Sequence, residues 1–315
     1  MGEELADFMK KTVLYILCLF CVSLFIVAGS ATAAEKTIGV IMTGNIPYYK
    51  EMHKAFTEGF AAEGMGKVEV LLQTPTPEPM SWANAARKLI SVGADLIVTY
   101  GAPATLTTMA ETSEIPIVFA GVYDPQALGI MGKNATGVSS KVPVASLVKN
   151  LKGISNFKTL GVVFSESEKD TVLQVNDVKQ LESSFGFKSS RFSVKKSDDI
   201  AKITNVEALF LTTGCAAMHC VNNIIGVARK AKIPTGTTIG GGEGSGIILT
   251  LSANPQEQGK EAAKIAARIF KGAKPASVPF EPPKKIDLIV NLKEATDMGL
   301  KIPFDLLTTA TRVIK

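Results

Sequence analysis

Along most of this chain, short apolar runs alternate with longer stretches whose apolar positions recur every three or four residues. The alternation is sharpest at residues 94–125, ADLIVTYGAPATLTTMAETSEIPIVFAGVYDP. Leu96, Ile97 and Val98 read as a parallel strand buried on both faces. Gly101 permits a sharp turn, and Pro103 suits a first helical position, where a missing N–H is no loss. A helix through Thr105, Met109 and Ala110 stops before Pro116, and Ile117, Val118 and Phe119 form the next strand. This is a βαβ unit. Ligands of open α/β sheets sit at the carboxyl edge of the strands, where the amides of Ala102, Ala104 and Thr105 would face an anionic or carbonyl group.

The same alternation covers the rest of the chain. Strands are expected at residues 36–42, 68–72, 160–164, 190–194, 208–211, 233–239, 247–251 and 286–290. Residues 43–49 read as loop, and helices are expected at about 50–63, 81–92, 144–151, 171–185, 216–231, 256–270, 292–299 and 305–314, with a short one at 198–203. Residues 129–137 read as loop and 138–143 as a crossing, after which the pattern begins again. The fold class is therefore α/β, with two doubly wound parallel-sheet lobes joined by a hinge. Lobe one takes residues 34–139 plus about 252–282, and lobe two takes 140–251 plus about 283–315. The glycine-dense segment 240–246 fits neither GxGxxG after a strand nor GxxxxGK[ST], and reads as a loop rounding the second sheet.

The amino end stands apart. Lys10 and Lys11 precede an apolar run at 13–28, and Ala31-Thr32-Ala33 forms an A-x-A cleavage pattern. This is the form of a secretory signal peptide over residues 1–33, with export to the periplasm or another extracytoplasmic space. Met9 makes a more ordinary start than Met1. The alternatives are an uncleaved anchor or, less in keeping with bulky Leu19 and Phe20, a lipid on Cys21. Cleavage removes Cys18 and Cys21, leaving Cys215 and Cys220, which five apart on one helix would point in different directions and make a poor disulfide.

Composition adds mainly exclusions. At 315 residues, 46% hydrophobic and 20% charged, the chain is globular and long enough for two lobes. The net charge of +5 is scattered, without the basic stripe that a nucleic-acid binder shows. The two histidines, His53 and His219, lack partners at metal-ligand spacing. Cys215 and His219 lie four apart, which is one helical face. They form a nucleophile–base pair, half of a metal site or, more simply, a core thiol beside a polar or half-buried histidine. No cofactor, metal site or catalytic set is expected.

Three segments carry a resemblance: IPIVFAGVYDP at 115–125, ATGVSSKVPV at 135–144 and DLIVNLKEATDMGLKIP at 287–303. With IGVI at 38–41, they resemble the extracytoplasmic substrate-binding proteins of ABC transporters, the group that includes periplasmic tryptophan-binding proteins. The resemblance implies a type I periplasmic binding protein: two lobes, crossing strands as the hinge, and a small-molecule solute in the cleft. It also implies a membrane permease as partner, a monomeric receptor and no enzymatic activity. Carried over, the cleft includes Asn45, Tyr48, Tyr100, Gly101, Ala102, Ala104, Thr105, Tyr123 and Asp124 from lobe one. Phe164, Ser165, Thr213, Gly214 and Thr238 come from lobe two. Tyr48, Tyr100, Tyr123 and Phe164 would face an apolar or aromatic body or simply pack, and Asp124 would bind or cap a turn.

Three departures bear on the ligand. Ala102 stands where relatives often have Thr, Gly214 where they often have Asp, and Thr238-Ile239 where they often have Ser-Asp. A buried ammonium needs an acceptor, so an amino acid is one candidate among small organic solutes, with Glu166, Asp170 or Glu243 as substitute acids. A second reading is an exported sensory module reporting to a membrane kinase, and a third is an enzyme built on Cys215 and His219.

Overall fold

The structure, a computed structural model, describes residue 2 and residues 36–130, 134–241 and 243–315. The expected leader, with Met9, Cys18, Cys21 and the cleavage pattern, lies outside the described residues apart from Gly2. Among the described residues no helix is long and apolar enough to cross a membrane.

The first half alternates strand and helix: β1 (Lys36–Met42), α1 (Pro47–Ala62), β2 (Val68–Gln73), α2 (Pro79–Ser91), β3 (Leu96–Tyr100), α3 (Ala102–Glu111), β4 (Ile117–Val122) and β5 (Ala135–Ser139). The sheet order is β2-β1-β3-β4-β5, with β1–β3, β3–β4 and β4–β5 parallel. Every residue of β3 and β4 is buried, as their unbroken apolar runs require. Val40, Val98, Tyr100 and Val118 face α1, while Ile41 and Ile97 face Ala86 and Leu89 of α2.

The second half gives α4 (Val144–Ile154), β6 (Thr159–Phe164), α5 (Lys169–Gln180), α6 (Glu182–Phe185), β7 (Lys188–Ser193), β8 (Ala208–Leu211), α7 (Cys215–His219), α8 (Val221–Ala231), β9 (Thr235–Thr237) and β10 (Leu249–Ala253). After these come α9 (Pro255–Phe270), β11 (Ile286–Asn291), α10 (Leu292–Asp297), α11 (Phe304–Thr309) and β12 (Arg312–Ile314). The second sheet runs β12-β11-β10-β9-β8-β6-β7 and is parallel except where β11 returns antiparallel to β10. Both lobes are thus doubly wound α/β sheets.

After β10 the chain leaves the second sheet. Asn254 caps α9 by accepting from the Glu257 amide at 2.9 Å, and Pro255 takes the first helical position. The helix then packs on α1, β4 and β5 of the first lobe. Small residues make this possible: a Cβ on Gly259 would clash with the Met52 carbonyl and stand 2.9 Å from Ala55 Cβ. Gln258, fully buried, accepts from the Gly121 amide at 3.1 Å and donates to the Ser139 carbonyl at 3.0 Å. Glu281 pairs beside Val138 before the chain returns to β11.

Five segments differ from the pattern reading. Helix α1 begins at Pro47, inside the expected loop 43–49, with the proline at its first position, where a missing N–H costs nothing. The expected loop at 129–137 and crossing at 138–143 contain β5, which lacks an apolar run because it fits under a close neighbour. A Cβ on Gly137 would run into the Phe119 carbonyl, and Thr136 donates to the Val278 carbonyl at 2.6 Å. The helix expected at 216–231 is two helices that break at Cys220, and 171–185 likewise divides at Leu181. The expected helix at 305–314 ends early. There the Thr311 amide donates to the Leu288 carbonyl at 2.7 Å, which draws residues 312–314 into the sheet as β12.

Candidate functional site

At the carboxyl edge of the first sheet, Thr43 ties three elements together. Its amide donates to the Tyr100 carbonyl at 3.0 Å, its carbonyl accepts from Trp82 Nε1 at 2.8 Å, and its Oγ1 accepts from the Ala104 amide at 3.1 Å. Gly101 turns the chain from β3 into α3 at φ 92°. A Cβ there would stand 2.5 Å from Tyr49 Oη and 2.7 Å from Thr43 Oγ1. Only glycine suits both the angle and the space.

Across from this edge, the second lobe presents the face of α5. Asp170 and Gln174, one turn apart, are 1% and 0% exposed. The Thr238 hydroxyl donates to Gln174 Oε1 at 2.7 Å. Gln174 Nε2 donates to Thr213 Oγ1 at 2.6 Å, and Thr213 donates to Asp170 Oδ2 at 3.1 Å. Each donor is thereby committed and the series ends on Asp170, whose other oxygen, Oδ1, is buried without a partner. Burial pushes the Asp170 carboxyl up to about 6, against the pull of the Thr213 hydroxyl and of the Asp170 and Thr171 amides. Next to it Glu168, 2% exposed, accepts from the Cys215 amide at 3.1 Å.

The two lobes meet over this cluster. Burial raises the Tyr49 hydroxyl far above its ordinary range, and the carboxylates of Asp170 and Glu168 add to it from the other lobe. Gly44 abuts Cys215: a Cβ on Gly44 would stand 2.8 Å from the sulfur. At one side Tyr123 donates to Asp177 Oδ2 at 2.7 Å, and at the other Tyr48 donates to the Ala253 carbonyl at 3.1 Å.

The structure sorts the residues chosen from sequence. Thr213, Gly214 and Thr238 lie at the cluster, with a Cβ on Gly214 falling 3.5 Å from Glu168 Oε1, Gly101 lies against Tyr49 and Thr43, and Ala102 packs into the first-lobe core with Ile117 and Phe119. Tyr48 and Tyr123 spend their hydroxyls on contacts between the lobes. Asn45 is exposed. Tyr100 is a core residue instead of a ligand platform: β3 points it under α1, its ring stacks on Tyr49, and its hydroxyl meets His53 Nδ1 at 3.2 Å. Phe164 belongs to the core of the second lobe, and Ser165 bonds Ser167 Oγ at 3.0 Å. Asp124 caps its turn by accepting from the Ala127 amide at 3.0 Å and pairs with Lys141.

The expectation of three open amides on α3 needs correction. The Ala104 amide is taken by Thr43, and the Thr105 amide donates to the Gly101 carbonyl at 3.2 Å. The Thr105 hydroxyl also turns inward, to the same carbonyl at 2.8 Å. Of the substitute acids, Asp170 is buried in the cluster and Glu166 is exposed, while the Glu243 side chain lies outside the described residues.

Sequence reasoning missed Thr43, Tyr49, Glu168 and Gln174. The Asp170/Gln174 spacing in the first turn after a strand was a usable signal for the last of these.

Cys215 and His219 do not form a catalytic pair. His219 Nδ1 faces the Cys215 carbonyl at 2.7 Å, and burial, with the charges of Glu168 and Asp170, pushes the thiol far up. Among the described residues no group of three or more His, Cys, Asp or Glu side chains is placed to hold a metal.

The chain matches the family described as ABC transporter substrate binding protein over residues 37–314. It is similar in structure to the ABC domain of Streptococcus pneumoniae in complex with L-Trp, with a TM-score of 0.84, 24% identity and coverage of 89% of this chain and 100% of that one. A conserved domain protein of Vibrio cholerae gives a TM-score of 0.84 at 25% identity, covering 88% and 99%. An uncharacterized protein of Rickettsia prowazekii is 22% identical over 234 residues, 72% of this chain and 74% of the relative.

Proposed function

The chain belongs to the ABC transporter substrate-binding protein family, and from that premise we propose that it is the extracytoplasmic receptor of an ABC importer. It captures a small organic solute between its lobes and presents the closed form to a membrane permease. The observation that carries this reading is Asp170. It is a buried carboxylate on the second lobe with one oxygen unpartnered, held by an ordered series of donors where the first lobe closes over it. Buried polar atoms almost always have a hydrogen-bond partner, from the protein, water or an ion, so an unpartnered one calls for an explanation. Closure brings the Thr43, Tyr49 and Gly101 edge onto that acid, as hinge motion does in binding proteins. The receptor is read as a monomer, and a site completed within one chain is in keeping with that.

Thermal denaturation against a panel of amines, amino acids, sugars, nucleosides and organic acids tests the reading. A true solute at about 100 times its Kd stabilises by about 2.7 kcal/mol. A protein unmoved by every class is not a receptor. Export under the leader predicts a mature protein that begins at Ala34, which amino-terminal sequencing of the extracytoplasmic fraction checks. A module reporting to a kinase would share the cleft, and copurification with a permease separates the two.

A further inference from the structure

We propose that the solute is a cation, a protonated amine or guanidinium with no balancing carboxylate, seated on Asp170 Oδ1. The inference rests on the receptor reading above and names the solute class. Its first support is the acceptor itself. The side chain is 1% exposed, and Thr238, Gln174 and Thr213 send their donors in one direction, so no side-chain donor of this series reaches Oδ1; the carboxyl otherwise feels only the Asp170 and Thr171 amides of its own helix start. An N–H donor from outside the protein completes the carboxylate, and a charged donor does so most strongly.

The second support is the sign of the surroundings. Tyr49 and Cys215, one from each lobe, both feel Glu168 and Asp170. Among the described residues no lysine or arginine pairs with Asp170. Lys141, at the crossing, is engaged with Asp124. Partial burial lowers the His53 pKa, and His219 is exposed with Nδ1 on the Cys215 carbonyl. The third support is the poverty of the opposite seat. An α-amino acid must also bury a carboxylate. At the start of α3, Pro103 has no N–H, the Ala104 amide is taken by Thr43 and the Thr105 amide by Gly101. One amide, that of Ala102, is left to face an anion. A zwitterion would desolvate its carboxylate against two acids, which is strongly unfavourable, whereas a simple amine brings no such group.

Matched pairs differing only by the carboxylate test this: tryptophan and tryptamine, phenylalanine and phenethylamine, lysine and cadaverine, arginine and agmatine. Calorimetric titration of the unaltered protein at neutral pH is expected to show the amine binding at least roughly tenfold tighter in each pair that binds. Asp170→Asn is expected to weaken that amine by a similar factor. The paired comparison needs no variant, so it decides the matter even where Asp170→Asn fails to fold. Amino acids binding tighter than their amines overturn the inference and leave the receptor standing. So does an amine whose affinity Asp170→Asn leaves within twofold, or binding confined to a neutral or anionic solute. Binding of no solute class overturns the receptor reading itself.

Discussion

Alanine at Gly44 should block closure while leaving each lobe intact. Gly44 follows β1 in the first lobe, and Cys215 opens α7 in the second. A Cβ at position 44 would stand 2.8 Å from Cys215 Sγ, 3.0 Å from its Cβ and 3.6 Å from His219 Cε1. Optimal carbon contacts lie at about 3.5–4.0 Å, so the lobes must part by about 1 Å here. Gly44 is not among the positive-φ residues, so alanine adds no backbone strain to the first lobe alone. The penalty falls on the closed form, and overpacking of this kind costs about 1–3 kcal/mol. Solute Kd should rise by about 5- to 150-fold, while the melting temperature of solute-free protein stays within about 2 °C. Calorimetry and a thermal melt on the same preparation read both. Adding Cys215→Ala removes the sulfur but leaves the Cβ contact, so it should restore part of the affinity. A Gly44→Ala protein that binds within twofold of the parent would refute the reasoning. Loss of solute-free stability in step with affinity would also refute it.

Three further outcomes follow from other contacts. Tyr123→Phe removes the hydroxyl bond to Asp177 between the lobes; a loss of about 1 kcal/mol should speed solute dissociation about fivefold in a surface-binding assay, without altering the melt. The Asp170 carboxyl is raised in the fold, so the native state holds its proton more tightly than the unfolded chain does. Ionised Asp170 therefore opposes folding above pH about 6, and this penalty fades as pH falls toward the unfolded value near 4. Asp170→Asn should raise the melting temperature at neutral pH and flatten its pH dependence between about 4 and 6, with Glu168 and Tyr49 unchanged beside it. A lower melting temperature would contradict the assignment. Gly259→Ala forces α9 off Met52 and Ala55 of α1, and should lower the melting temperature by about 2–10 °C through overpacking of about 1–3 kcal/mol.

The strands that proved easiest to read were those buried on both faces. LIVTY and IVFAGV carry their apolar character whatever their neighbours do. β5 was illegible because its fitness for the sheet lies in being small: Gly137 and Thr136 answer to Phe119 and Val278, which are remote in sequence. β12 was illegible because pairing with β11 overrides the local helical preference at the end of the chain. At the site, backbone features such as the Gly101 turn could be seen in advance, since glycine and proline mark them. The side chains were harder. Tyr48 and Tyr49 are adjacent and alike, yet one contacts Ala253 and the other faces the acids, a difference set by the rotation of α1. Tyr100 failed as a ligand platform because strand alternation turns it toward the core. Asp170 stood among three candidate acids, and only the packing of α5 against Thr213 distinguishes it from Glu166.

The most direct measurement is a crystal structure of the protein with the tightest solute from the paired panel. It should place a solute nitrogen about 2.7–2.9 Å from Asp170 Oδ1, enclosed by Thr43 and Tyr49 of the first lobe and Thr213 of the second. Solute density elsewhere, or an anionic group against Asp170, would contradict it.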